Sequence, residues 1–298
     1  MGRLAFVEVD RLRPHEEILE ELVASIGREL LSAGKLYHPI VAEASHGVIL
    51  DGSHRFEALK RAGARAVLVY SVDYFSEEVE LRAWYRAIDG DPGIGEVLEA
   101  LRASLDAAPE PVAVEEGLMA LERREGSVLV LAHGSNSAYL LRSDSPRDAF
   151  PLREVTRADE ALRRFGIRYD TESNVLSGIR SGRYRVGYAV PTLRKEEVFE
   201  WAKRGMRFPP KSTRHLVQDR PLYALAPLEV MTSEDDSVRE RFLGYLLSAE
   251  TVSLGPGVYL DRFYEERVRV LVHGRRGEPT YPPEVAELIG RAARRRAT

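Results

Sequence analysis

The sequence predicts an α+β protein with two domains and a C-terminal extension, and three observations carry that reading. Short apolar runs of strand length interleave with stretches of helical periodicity over the first ninety or so residues. Asp89-Gly90-Asp91-Pro92-Gly93 is the clearest boundary signal on the chain, because glycine and proline interrupt both periodicities. An acidic linker, Ser233-Glu234-Asp235-Asp236, then sets off the last stretch. These signals place one α+β domain at 1–90, a second α/β domain at 91–231 and an extension at 232–298.

The elements follow in order. Ala5 to Asp10 alternates as a short strand, and Leu12-Arg13-Pro14-His15 turns the chain. From Glu16 to Ala33, Ile18, Leu19, Leu22, Val23, Ile26 and Leu30 recur at helical spacing, and Gly34 fits a C-cap. His38 to Ala42 and Val48 to Leu50 read as a hairpin about Ser45-His46-Gly47. A helix is expected over Ser53 to Ala62, a strand over Ala66 to Val72 and a helix over Glu77 to Arg86. Beyond the boundary come a helix from Gly95 to Leu105 and the link Ala108-Pro109-Glu110-Pro111. Strands are expected at Ser127 to Ala132, Ala138 to Arg142, Tyr184 to Val190 and Arg267 to Val272. Helices are expected at Arg157 to Phe165, Glu172 to Ser181 and Lys195 to Lys203, with a basic helix at the C-terminus.

Composition narrows the function. An apolar fraction of 44% and a charged fraction of 30% are those of a water-soluble globular chain. No apolar run reaches the roughly 18 residues needed to span a bilayer, and the opening residues turn acidic too soon for a signal peptide, so a cytoplasmic protein without membrane partners is expected. The chain has no cysteine, which excludes thiolate metal sites, disulfides and a cysteine nucleophile. A net charge of −4 supplies no global attraction for nucleic acid.

Three clusters carry chemistry. In Asp51-Gly52-Ser53-His54-Arg55 a strand runs into a helix, and the first N–H groups of a helix favour an anion. Gly52 permits a positive φ, His54 and Arg55 add donors, and Asp51 is placed to orient His54 or to hold a metal. The plainer reading is that Asp51 or Ser53 caps the helix. The second cluster is Pro14-His15-Glu16, where Glu16 is either a dipole-favoured helix starter or a general base. The third is Lys211-Ser212-Thr213-Arg214-His215 after a double proline, which suits a polyphosphate or makes an exposed basic turn. Arg294-Arg295-Arg296 reads as a solvated chain end.

Together these residues resemble a family. The N-terminal unit is similar to the ParB/sulfiredoxin-like fold. The ordered set of Pro14-His15-Glu16, Asp51 to Arg55, Asp73-Tyr74-Phe75-Ser76, Trp84-Tyr85 and Pro210 to His215 resembles archaeal free L-serine kinases over about residues 5 to 230. That resemblance implies transfer of a phosphoryl group from a nucleotide, expected to be ADP, to free L-serine with Mg2+, feeding cysteine synthesis; the alternative within the same fold is ATP as donor or another small hydroxylated acceptor. It implies Glu16 as catalytic base, Asp51 beside the transferred group, and Gly52, Ser53, His54 and Arg55 as phosphate-binding. His15 and Trp84 would border the substrate, while Lys211, Ser212, Thr213, Arg214 and His215 would cradle phosphates from the second domain. Ser53 and Phe56 depart from the histidine and tryptophan of the family. A ParB-like DNA-binding or nucleotide-switch protein is the second reading; it calls for a helix-turn-helix and a basic face, neither of which is legible.

Overall fold

The structure, a computed structural model, describes residues 2–134, 137–273, 281, 282, 285–287 and 290. The chain divides into two units. One comprises Met1–Glu80, Lys195–Pro210 and His215–Thr298; the other comprises Leu81–Arg194 and Lys211–Arg214.

In the first unit a mixed five-stranded sheet is built from β1 (Arg3–Glu8), β2 (Arg13–Pro14), β4 (Ile40–Glu43), β5 (Val48–Asp51) and β6 (Ala66–Val72); β3 (Lys35–Leu36) lies outside it. The order is β1-β6-β4-β5-β2. β6, Ala-Val-Leu-Val-Tyr-Ser-Val, is β-branched and buried along most of its length, so it takes an interior place with β1 antiparallel on one side and β4 parallel on the other. Helix α1 (Glu20–Ala33) buries Val23 and Leu30 and stops at Gly34, whose φ of 63° is the left-handed C-cap expected of glycine. Helix α2 (Ser53–Arg61) buries Phe56, Ala58 and Leu59. Each such side chain fully removed from water contributes about 1.5–3 kcal/mol.

The same unit contains a three-stranded sheet in which Val268–Val272 lies between Arg220–Leu222, parallel, and Glu250–Leu254, antiparallel. Between the last two strands in sequence, Val258–Tyr259 and Phe263–Tyr264 form a small hairpin. The described residues after Met231 therefore fall in the first unit instead of standing apart, because Val268–Val272 pairs with Arg220–Leu222. Of the expected C-terminal helix, residues 285–287 and 290 are described and helical, and Arg294-Arg295-Arg296 lie outside the described residues.

The second unit is a six-stranded antiparallel sheet in the order Ile167–Asp170, Tyr85–Ile88, Val186–Ala189, Gly126–Ala132, Ser137–Arg142, Glu110–Ala113. Alternate residues serve opposite faces. Val128, Val130 and Tyr188 pack with helices Ile94–Leu105 and Leu152–Leu162, whereas Leu129, Leu131 and Ala189 pack with Val114–Glu122 and Glu172–Ser181. The proline link turned out to be the edge strand, Pro111 facing Tyr139 at the one place in a sheet that tolerates a missing N–H.

Three expectations need correction. Glu77 to Arg86 is not a helix but the strands Val79–Arg82 and Tyr85–Ile88; pairing of Tyr85–Ile88 with Ile167–Asp170 and Val186–Ala189, remote in sequence, overrides local propensity. Asp89 to Gly93 is a turn within the second unit, with Gly90 donating to the Phe165 carbonyl at 3.0 Å, so the units do not part there. Helix α1 begins at Glu20 instead of Glu16, because His15 to Glu17 run extended beside Phe208 and exchange backbone bonds of 2.8 Å with it.

Candidate active site

β5 ends at Asp51 and α2 begins at Ser53, leaving Gly52 alone between strand and helix. Gly52 adopts φ 100°, and a Cβ there would lie 2.9 Å from Ile40 Cδ1 and 3.0 Å from Arg55 Nη2. Both the dihedral and the space require glycine. No side chain caps α2, so neither Asp51 nor Ser53 is the helix cap of the plainer reading; Ser53 is buried.

Asp51 is instead an ion-pair centre. Its Oδ2 accepts from Arg220 Nη2 and, at 3.2 Å, from Arg262 Nη2, and Arg55 Nη2 stands 3.3 Å away. Burial pushes the Asp51 carboxyl up, but the guanidiniums of Arg220, Arg262 and Arg55 together outweigh it and hold the group well below its ordinary range. Arg55 responds the other way: burial and the two neighbouring guanidiniums outweigh Asp51 and shift it down. Its Nη1 also donates to the carbonyls of His38 and Pro39 at 2.9 and 3.2 Å, tying the α2 start to the approach of β4. His54 is directed elsewhere. Its Nε2 accepts from the Leu19 N–H at 3.0 Å, at the N-cap of α1, and in that bond Nε2 carries no proton.

Glu16 sits on the extended segment before α1, its side chain 13% exposed, held by the backbone bridge to Phe208. His15 is buried at 2% exposure; its Nδ1 bonds the Ile49 carbonyl and its Nε2 is 3.9 Å from Glu16 Oε1. His15 therefore lies beneath Glu16, between it and the β5 backbone. His215 is likewise buried, with its Nε2 2.9 Å from the Tyr74 hydroxyl and its ring 5.3 Å from that of His15. Burial, chiefly, lowers both imidazoles; proximity of His15 lowers His215 further, well below its ordinary value. His215 is thus buried beside His15 and Tyr74, and its imidazole is disfavoured as a cation.

The remaining candidates fall in the second unit. Trp84 Nε1 donates to the Thr213 carbonyl at 2.8 Å, and Lys211 Nζ and the Arg214 guanidinium lie 5.1 and 5.7 Å from the centre of the indole. Thr213 and Arg214 are buried and Ser212 is half-buried. Lys211 takes φ 65°, a costly conformation for a non-glycine residue that the turn after Pro210 imposes. Trp84 and the basic segment, which the sequence separates by more than a hundred residues, thus form one cluster.

The first unit also contains a cavity of about 620 Å³ lined by Leu30, Tyr37, His38, Asp51, Arg55, Arg220, Arg262 and Tyr264, among others. That volume suits a ligand of nucleotide size. Arg220, Asp261, Arg262 and Tyr264 were not singled out from the sequence. The only available signal was a Gly-Pro-Gly turn followed by Asp-Arg, and nothing in it says which strand end it meets.

No family model matches the chain. It is 27% identical over 226 residues to the ADP-dependent L-serine kinase of Thermococcus kodakarensis, covering 72% of this chain and 88% of that protein. It is 29% identical over 233 residues to the ATP-dependent L-serine kinase of Desulfurococcus mucosus, covering 76% and 89%. A solved free serine kinase in complex with AMP superposes with a TM-score of 0.59 at 24% identity, covering 76% of this chain and 93% of that one. The chain thus shares the fold of a free serine kinase and is similar in sequence to the archaeal L-serine kinases along nearly their whole length.

Proposed function

We propose that this chain is a phosphotransferase that moves a phosphoryl group from a nucleotide to the hydroxyl of free L-serine, releasing O-phospho-L-serine. The observation that carries this reading is the placement, in one unit, of a fixed carboxylate, Glu16, and an uncapped helix start at Gly52 beside a guanidinium cluster. The sequence similarity to L-serine kinases supports the acceptor. The relatives differ in donor, one ADP-dependent and one ATP-dependent, and ADP is the donor proposed here.

Phosphoryl transfer needs positioning and charge neutralisation more than covalent help. With ADP, the serine oxygen attacks the β-phosphorus, a new P–O bond forms, the bridging P–O bond breaks and AMP departs. Glu16 accepts the hydroxyl proton during attack, a contribution of about 10²–10⁴-fold. The start of α2 and the guanidiniums around Asp51 neutralise the phosphate oxygens. Trp84 and the Lys211 to Arg214 segment supply further cations and an aromatic face in their own unit.

Mg2+ fits this protein only as a companion of the nucleotide. Among the described residues no three His, Asp or Glu side chains gather as a metal-binding group, and Asp51 Oδ2 faces guanidiniums. The ion would be held by the nucleotide phosphates and water, its common mode of binding, and would there offset phosphate charge. The test is to incubate the purified chain with L-serine and Mg2+ and either ADP or ATP, then follow products by mass spectrometry. O-Phosphoserine with AMP from ADP supports the reading; no phosphoserine from either donor overturns it.

A further inference from the structure

The guanidinium cluster has more donors than its own carboxylate can satisfy. Arg55, Arg220 and Arg262 all reach the same atom, Asp51 Oδ2. Each guanidinium carries five N–H donors, whereas a carboxylate oxygen accepts about two hydrogen bonds. Arg55 spends its Nη1 on main-chain carbonyls, but Arg220, only 1% exposed, has its Nε and Nη1 buried without a hydrogen-bond partner. The nearby Glu266 Oε1 forms an ion pair with Arg220 Nη1 at 3.7 Å, too long for a hydrogen bond, and accepts no hydrogen bond itself. Buried donors of this kind are costly unless something else accepts from them.

Arg262 reaches the cluster from the hairpin Val258–Tyr259/Phe263–Tyr264. The loop is closed by the Leu260 N–H bonding the Arg262 carbonyl at 3.0 Å, and Tyr264 stacks under the guanidinium at 4.8 Å. The Arg262 side chain is 40% exposed and lines the cavity, so part of its fork faces open space. Net charge does not explain the site, because Lys35, Arg55, Arg220 and Arg262 are offset by Glu29, Asp51 and Asp261 in the same lining. What distinguishes it is three guanidiniums gathered about one carboxylate oxygen at the cavity wall, Arg262 being the partly exposed one, a grouping that suits a multi-oxygen anion such as a phosphate.

We infer that Arg262 is a phosphate-binding residue for the nucleotide, delivered by the C-terminal hairpin and completing with Arg220 and Arg55 a guanidinium clamp on the terminal phosphate. This rests on the kinase reading for the identity of the ligand, though not for its phosphate chemistry. Asp51 holds the three side chains together until the phosphate arrives.

The test is calorimetric titration of the full chain with ADP, AMP and inorganic pyrophosphate, comparing wild type, Arg262→Gln, Arg262→Lys and the surface-charge control Arg241→Gln. Arg262→Gln is expected to weaken ADP and pyrophosphate by about tenfold, the value of one charge-assisted bond, and AMP much less. Arg262→Lys should recover only part, since it restores the charge but not the fork. Equal weakening of all three ligands by Arg262→Gln overturns the assignment, as does unchanged binding or an equal effect of Arg241→Gln. If wild type binds pyrophosphate through Arg262 yet makes no phosphoserine, the clamp stands and the kinase reading falls. If wild type binds neither pyrophosphate nor ADP, the clamp falls.

Discussion

Arg220, with a side chain only 2% exposed, donates to the same Asp51 oxygen that Arg262 contacts at 3.2 Å, so one carboxylate holds together two arginines from distant parts of the chain. Asp51 ends a strand of the N-terminal sheet, while its partners lie on the strand Arg220–Leu222 and on the hairpin near residue 262. The pair therefore joins the motif loop to the C-terminal segment within one unit.

Removing that carboxylate should expose the cost of the cluster. Asp51→Asn leaves Arg55, Arg220 and Arg262 facing one another, and breaking a buried pair from one side costs about 3–5 kcal/mol. The pH dependence has a definite sign. The folded carboxyl lies well below its ordinary value of 3.8, so its stabilisation is complete above about pH 4 and is lost as pH falls through the depressed folded value. Urea unfolding at pH 7 should show a large deficit for Asp51→Asn, and that deficit should shrink in acid. A deficit constant from pH 7 to below pH 4 would refute the linkage.

Glu16→Gln separates base catalysis from binding. The side chain is held by an extended backbone paired with Phe208, which a neutral isostere leaves in place. The turnover number for phosphoserine formation should fall by about 10²–10⁴-fold, with thermal stability and nucleotide affinity retained. Undiminished turnover would remove Glu16 from the proton-transfer role.

The sequence shows the two kinds of site residue unequally. Gly52 and Arg55 are legible because a strand-to-helix junction has a local signature, glycine at positive φ before the first helical turn. The bounds Ala66–Val72 and Glu172–Ser181 also match their expectations, since burial period and caps are local. Arg220 and Arg262 are not legible, because they meet Asp51 only by tertiary side-chain contact across 169 and 211 residues. The strand Tyr85–Ile88, whose first two residues fall in the expected helix Glu77 to Arg86, depends likewise on partners remote in sequence. His15 and His215 stand beside recognisable motifs, but their burial depends on tertiary packing that no local pattern announces.

Those two histidines set a second pH dependence. Both imidazoles titrate below their ordinary 6.5, chiefly from burial. A depressed folded value means the unfolded chain takes up protons first, so stability present above about pH 6.5 is lost as pH falls from there through the folded values. Thermal unfolding should show a falling midpoint between pH 7 and pH 5. His215→Asn, which cannot charge, should show a shallower slope in that window whatever its midpoint at pH 7. A wild-type midpoint independent of pH in this range would contradict the buried neutral assignment.

Gly52→Ala tests whether the loop geometry matters to binding as well as to folding. At φ 100° an alanine is strained whatever the space, at about 1–3 kcal/mol. Its Cβ would also meet Ile40 Cδ1 at 2.9 Å and the Arg55 guanidinium at 3.0–3.2 Å. Relief comes from Arg55 moving, since the end of an arginine yields more easily than the core residue Ile40, which is fully buried. Arg55 would then lose its bonds to the His38 and Pro39 carbonyls and its place beside Asp51. The expected result is reduced stability in urea together with weaker ADP binding in protein that is still folded at low temperature. Because strain alone would lower stability without touching affinity, loss of stability with unchanged ADP affinity would show that Arg55 is not part of the phosphate site.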